Sequence, residues 1–424
     1  MPNLPFTLSL SLLAACTSAY ALPSTQIAVD AKVLRAGGGP ATLDTLLARY
    51  DAMAPGSERD ELAAQIDQVA AQRYATISRL YWYTDLEAAK TAAQQTKKPI
   101  LELRLLGRLD EELSCANSRI FRETLYANAT VSKFLRENFV LLWTTERPVP
   151  KVTIDFGDGR TIRTTTTGNS AHFVRDSRGE VVDLLPGVYA PAPFRAELEQ
   201  SLAMIEKLDA GDARKRRDQV RAYHAASAKE TRAQWARIGS RQYSSLFAML
   251  MKNKPDQSAV ELAQMRTISK AYIEVPQLAM FGAEPGTLAE DETAAWAFAG
   301  QLAWDLGKHE KGEKPPTVLD TQSRTLVIAL HQAGPIKASS DEIAALIPRF
   351  EQHLTADSAL NEFKLRTKIH DHFAAHDAAK PIEFAALDKW LYADVFGTPI
   401  TDRWLGLLPR TDVTGLPGDG ATMP

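Results

Sequence analysis

The sequence predicts a mixed α/β unit at about residues 82–208, preceded by a helical segment and followed by an all-α region. Strand-like and helix-like periods alternate between 82 and 208, whereas from 212 to about 395 nearly every segment keeps a helical period. The composition is that of an ordinary globular chain of 424 residues, long enough for two or three domains. With 49 basic and 52 acidic side chains the net charge is −3, so no whole-molecule field would hold nucleic acid, and none is expected as a partner.

The first 21 residues, MPNLPFTLSLSLLAACTSAYA, carry no charged side chain and read as a secretory signal peptide. Two cleavage readings compete. Ala19-Tyr20-Ala21 suits a small-residue site before Leu22, whereas Leu13-Ala14-Ala15-Cys16 resembles a bacterial lipobox, which would make Cys16 a lipidated N-terminus anchored to a membrane. Either way the protein is expected to be exported, to the periplasm or as an envelope lipoprotein. Either cleavage also leaves Cys115 as the lone thiol, because the chain has 2 cysteines.

Residues 22–81 are expected to be helical, with Leu62, Ile66, Val69, Ala70 and Ile77 on one face of a helical stretch over 42–80. Thr84-Asp85-Leu86-Glu87 has capping-box spacing, with Thr84 as the cap, and opens an Ala-rich helix that Lys97-Lys98-Pro99 ends. ILELRLL at 100–106 follows as a strand. A second helix starts near Ser114, which can cap it, and FVLLW at 139–143 is the next strand. Residues 151–166 alternate about Gly157-Asp158-Gly159 and read as a hairpin. AHFVR and EVVDLL form another around 176–179, and a helix begins near Pro191. A βαβ half requires a parallel pair and a ββα half supplies an antiparallel one, which gives a mixed sheet with helices on both faces. Asp212 can cap the first helix of an α-helical region over 212–408, and the turn-rich tail 409–424 is expected to be poorly ordered.

Particular residues then carry a resemblance. Asp85-Leu86 with Ala88 and Ala89, then Lys98-Pro99, precede the first strand. Arg122-Glu123-Thr124-Leu125, Asn128 to Val131 and Glu137-Asn138-Phe139-Val140 follow Cys115. Gly168-Asn169-Ser170-Ala171-His172-Phe173-Val174-Arg175-Asp176-Ser177-Arg178-Gly179 is similar, without a gap, to a family segment read Gly-x-Pro-x-x-Val-Phe-Leu-Asp-x-x-Gly. Over Trp82 to about Leu208 the chain resembles the thioredoxin-like domains of bacterial envelope proteins. The resemblance implies an α/β thioredoxin-like mixed sheet and a thiol-disulfide role in the cell envelope.

Three departures from that family bear on chemistry. Cys115-Ala116-Asn117-Ser118 stands where the family has Cys-x-x-Cys, so a hydroxyl replaces the thiol that resolves mixed disulfides. Ser170 stands at the cis-proline position, where a cis bond before a non-proline costs about 3 kcal/mol, so the substrate-presenting loop is expected to differ. Leu103 stands where a carboxylate is buried, and Glu102 would point to the opposite face. The implied activity narrows to monothiol exchange, with Cys115 as nucleophile, Ser118 hydrogen-bonding its thiolate, and Asn169 and Ser170 contacting the substrate. Its partners would be protein or small-molecule thiols and disulfides. A helix N-terminus lowers the thiol pKa and Asp110, Glu111 and Glu112 nearby raise it, which leaves the sign open.

The alternative is a catalytically degenerate scaffold that binds through its helical region or through the 151–166 hairpin. His372 and His376, with His370 nearby, have i,i+4 metal-ligand spacing, but a solvated polar helix face is the preferred reading and no metal or cofactor is expected. The basic run Arg214-Lys215-Arg216-Arg217 reads as a solvated face that could meet anionic lipid. The chain has no P-loop, no Rossmann glycine pattern and no Gly-x-Ser-x-Gly motif.

Overall fold

The computed structural model describes residues 31–166, 168–239, 290–305, 318–333, 335–398, 404 and 415–422. The expected signal peptide and Cys16 lie outside them. Three helices lead: α1 (Ala31–Ala52), α2 (Ser57–Ala70) and α3 (Ala75–Ser78). The 42–80 stretch is therefore interrupted twice, after Met53-Ala54-Pro55-Gly56 begins and again where Ala71 turns left-handed at φ 53°. Leu43 and Leu47 of α1 pack on Leu62, Ile66 and Val69 of α2. Ile77 is only half-buried.

Next come β1 (Trp82–Tyr83), α4 (Leu86–Thr96), β2 (Ile100–Leu106), α5 (Ala116–Thr124), α6 (Ala129–Asn138) and β3 (Val140–Arg147). The chain continues through β4 (Lys151–Asp155), β5 (Thr161–Thr165), β6 (Ala171–Arg175), β7 (Val181–Pro186), α7 (Pro191–Ile205) and α8 (Ala213–Ile238). Five strands form one mixed sheet in the order β1-β3-β2-β6-β7, and β4-β5 is a separate hairpin. β2 runs parallel to β3 and antiparallel to β6, so the expected parallel and antiparallel halves meet on one central strand. β1 was not legible, since two residues cannot show a period.

Two caps differ from expectation by one residue. Asp85, not Thr84, caps α4 and accepts from the Ala88 N–H at 2.8 Å. Cys115, not Ser114, occupies the N-cap of α5 and its side chain makes no capping bond. Asp212 does cap α8, accepting from Arg214 and Lys215.

The side chains of β2 divide the core. Leu101, Leu103 and Leu105 join Ile120, Phe121, Leu135, Phe194 and Leu198 in one apolar cluster, while Ile100 faces Ala89 and Ala93 of α4. Each such large apolar side chain, fully buried, contributes about 1.5–3 kcal/mol. On the second face Glu102 is buried against Arg175, 2.6 Å from its Nε. The helix Phe384–Trp390 covers that face, with Phe384 under the Arg175 guanidinium and Asp388 on Arg104.

Beyond α8 the described residues contain helices and no strand: Glu290–Asp305, Thr321–His331, Ser340–Leu360, Thr367–Ala375 and Phe384–Trp390, with wider π-helical turns at Asn361–Arg366 and Leu391–Val395. Val220, Ile343, Leu354, Ile369, Phe373, Tyr392 and Phe396 belong to the same buried cluster as the sheet. The helical region and the sheet thus share a continuous core. Among the described residues no helix is long and apolar enough to cross a membrane.

Candidate functional site

The loop after β2 delivers Cys115 to the start of α5. Its N–H donates to the Leu106 carbonyl at 3.3 Å, and its own carbonyl accepts from Arg119 N–H at 3.1 Å. Gly168 passes directly over the residue: a Cβ there would sit 2.6 Å from the Cys115 Cβ, and the glycine φ of +143° is one that side chains avoid. The backbone has no cis peptide bond among the described residues, Ser170 included.

The fold brings Cys115, Ser118, Asn169 and Ser170 together as the sequence suggests. Cys115 Sγ is 3.5 Å from Ser118 Oγ and 3.4 Å from Ser170 Oγ. Ser118 Oγ, however, already donates to the Cys115 carbonyl at 2.8 Å, which fixes it as an acceptor toward the sulfur. Cys115 is 0% exposed, and Ser118, Asn169 and Ser170 are buried with it. The residues expected to touch substrate instead make internal bonds. Ser170 O accepts from Gly187 N–H at 2.8 Å, Asn169 O from the Tyr392 hydroxyl at 3.0 Å, and Asn169 Nδ2 reaches Thr398 Oγ1 at 3.3 Å. The end of the helical region therefore closes over the cysteine loop.

The acidic approach loop turns its charges outward. Asp110 pairs with Arg108 at 2.7 Å, Glu112 with Arg73 at 2.9 Å, and Glu111 approaches Lys151 at 3.8 Å. Buried Arg122 holds the loop from inside, donating to the carbonyls of Leu109 and Glu111 at 3.1 and 2.6 Å. Its guanidinium pKa is lowered by that burial.

His172 was not singled out from sequence, although it sits two residues after Ser170 and so on the same strand face. Its ring is caged by Phe121 and Phe194 and meets the Tyr126 hydroxyl at 2.7 Å. Burial drops it to about 3, so at neutral pH it is an uncharged ring and a poor proton acceptor. Tyr126 is held well above its usual range by burial, with Cys115 adding to the shift.

A second cluster lies where α8 and the Asn361–Ala375 helix meet β7. Asp183, His224 and His370 offer ligand atoms within 4.8 Å of one another. The donor set does not fit a metal. Asp183 Oδ1 accepts from Leu184 N–H at 2.8 Å and Arg366 Nη1 at 2.9 Å, and Oδ2 from Ser201 Oγ at 2.7 Å and Arg366 Nη2 at 2.9 Å, which fills both oxygens. His224 Nδ1 and His370 Nδ1 are 2.7 Å apart, a hydrogen-bond distance, whereas two nitrogens on one tetrahedral zinc would stand roughly 3.3 Å apart. Burial pushes Asp183 up, yet Arg366, helped by both imidazoles, more than offsets it and holds the carboxyl well below the usual range. Burial lowers both histidines.

The other metal-spaced histidines each have partners of their own. His376 ends its helix in extended conformation and meets Lys380 O at 3.1 Å, while His372 stacks on Trp390. The basic run divides: Arg216 is buried beside Asp176 and Glu180, and Arg217 reaches the Ala378 carbonyl, so only part of it faces solvent. No family model matches this chain, and no curated protein or solved structure matches it.

Proposed function

We propose that this chain is an exported envelope protein whose thioredoxin-like unit has given up thiol exchange and serves as a scaffold that binds a protein partner. The observation that carries this is the Cys115 sulfur at 0% exposure beneath Gly168 and the Asn169–Tyr392 contact. The strand order with β2 central, and the placement of Cys115 and Ser118 at the start of α5 beside Ser170, support the thioredoxin-like assignment. Thiol exchange needs a thiolate that a disulfide can approach in line, and a second thiol or an external one to release the product. Neither approach nor resolving thiol is offered at Cys115.

The test is iodoacetamide labelling of the folded, mature protein. Cys115 is expected to stay unlabelled up to about pH 9 and to react within minutes once denatured. Cys115→Ser is expected to complement a deletion strain as well as the wild type. Native labelling below about pH 8, together with loss of complementation, would reject the scaffold reading.

One observation favours the second reading, monothiol exchange with external thiols. The Ser170 hydroxyl lies 3.4 Å from the sulfur at a helix start and can donate to a thiolate if the cover lifts, whereas the Ser118 proton is already given to the Cys115 carbonyl. Tyr392→Phe removes the hydroxyl that bonds Asn169. A labelling rate that this substitution leaves unchanged speaks for the scaffold, and a rate that rises severalfold speaks for a gated thiol.

A further inference from the structure

The β4–β5 hairpin stands apart from the five-stranded sheet, and its outer edge has a particular chemistry. Val152 pairs with Thr164 and Ile154 with Ile162. Phe156 N–H donates to Arg160 O at 3.1 Å and Thr166 N–H to Pro150 O at 3.2 Å. By the alternation of antiparallel ladders, the even-numbered residues of β4 turn their N–H and C=O toward β5, so those of Lys151, Thr153 and Asp155 face the other way. Among the described residues no strand pairs with that edge. At the tip Phe156 and Ile162 are 48% and 47% exposed, on the face shared with Val152 and Ile154. An open edge with exposed apolar residues invites a further strand.

We propose that this edge pairs with the same edge of a second copy of the chain, antiparallel about a two-fold axis through Thr153. The sequence Lys151-Val152-Thr153-Ile154-Asp155 is complementary to its own reverse. About that axis Lys151 stands opposite the second copy's Asp155, Val152 opposite Ile154, and Thr153 opposite Thr153. Opposite charges, branched apolar residues and threonines are each favourable cross-strand neighbours. The register also matches the backbone: the residues brought into hydrogen-bonded pairs, 151 with 155 and 153 with itself, are those whose N–H and C=O are turned outward. A shift of one residue would break both matches. The apolar faces of the two hairpins would then join in one strip, with Phe156 and Ile162 of each copy at its ends.

The opposite edge does not serve. The same operation on β5 would set Arg163 against Arg163, and Thr165 is fully buried with its hydroxyl on the Ser114 carbonyl at 2.9 Å. Among the described residues Lys151 is otherwise held by Glu111 alone, at 3.8 Å between half-exposed side chains, a pair too weak to keep it from Asp155 of a second copy. This inference is independent of whether Cys115 reacts.

Sedimentation of the full mature chain from about 1 to 100 μM, the range in which a micromolar dimer dissociates, tests it. The wild type is expected to dimerise reversibly. Lys151→Asp and Asp155→Lys each oppose like charges and are expected to weaken the dimer about tenfold or more. An equimolar mixture of the two variants restores opposite charges and is expected to recover the wild-type affinity. Thr153→Pro removes an outward N–H that β5 does not use, and is expected to abolish the dimer while the circular dichroism spectrum stays unchanged. A wild type that stays monomeric throughout, a dimer indifferent to these substitutions, or a mixture no tighter than its components overturns the proposal.

Discussion

Cys115 and Asp183 are both fully buried, and their surroundings are built in opposite ways. The groups touching Cys115 are neutral hydroxyls, and the hydrogen bonding nearby is incomplete: Ser114 Oγ, the Asn117 amide, Thr166 Oγ1 and Asn169 Oδ1 find no partner among the described residues. Asp183 is charged, faces a fully buried Arg366, and has each oxygen accepting two bonds. Charge is concentrated where the helical region docks on the sheet, whereas among the described residues the hydrogen-bonding neighbours of the Cys115 sulfur are hydroxyls. The cysteine site is thus held by packing and neutral groups, and the junction by a fully bonded buried ion pair.

Removing Arg366 should be the severest way to break that comparison. Arg366→Met leaves Asp183 buried without its counter-ion, beside Glu197 and Glu362, and is expected to cost about 3–5 kcal/mol in denaturant unfolding. Adding Asp183→Leu should recover a good part, because the loss comes from the orphaned charge more than from the pair itself. A cost under about 1 kcal/mol would show that the junction is no more demanding than a surface pair.

The cysteine side is probed next by Gly168→Ala. The new Cβ would meet Cys115 Cβ at 2.6 Å on a backbone whose φ is +143°, so a loss of about 1–3 kcal/mol is expected. Combining it with Cys115→Ala does not clear the contact, since alanine keeps that Cβ. A double variant as unstable as Gly168→Ala therefore locates the strain at the backbone approach, and a rescued one locates it at the sulfur.

Much of the sheet was legible because its strands are short apolar runs bounded by turns, and each of the hairpins carries its own turn residues. The grouping of Cys115, Ser118 and Ser170 was legible through the resemblance, whose gap-free segment fixed Ser170 in register. Whether the thiol is open was not. Its cover comes from Tyr392 and Thr398, more than 200 residues away in sequence, and no local period encodes that contact. The Asp183–Arg366 pair was hidden for the same reason: each residue reads alone as a polar residue of an apolar strand or a helix, and only packing makes them partners across a separation of 183 positions. Cap positions failed by one residue because Thr84 and Asp85, or Ser114 and Cys115, offer nearly equal local chemistry and the tertiary approach of the chain decides.

The gentlest probe of the junction uses pH. Glu362 lies 3.7 Å from Arg366 Nε and 3.5 Å from the Tyr189 hydroxyl, and its pKa is pushed up to about 8, first by burial and then by Glu197, with Arg366 opposing. Its unfolded value is about 4.3. Below that value both states hold the proton and its contribution to stability is complete. Between there and about 8 the folded protein holds a proton that the unfolded chain has released, so stability falls as pH rises, and it levels off above about 8. Asp388, raised to about 7 by burial and Glu146, slopes the same way, so the wild-type profile alone does not isolate Glu362. Glu362→Gln does, because the amide stays neutral at every pH. The variant is expected to match the wild type near pH 4 and to exceed it by a growing margin as the pH is raised toward 8.5 in paired denaturant melts. A variant less stable at both pH values would mean that Glu362 is ionised and held by Arg366, which would turn the junction from one saturated by a single carboxylate into one that needs two.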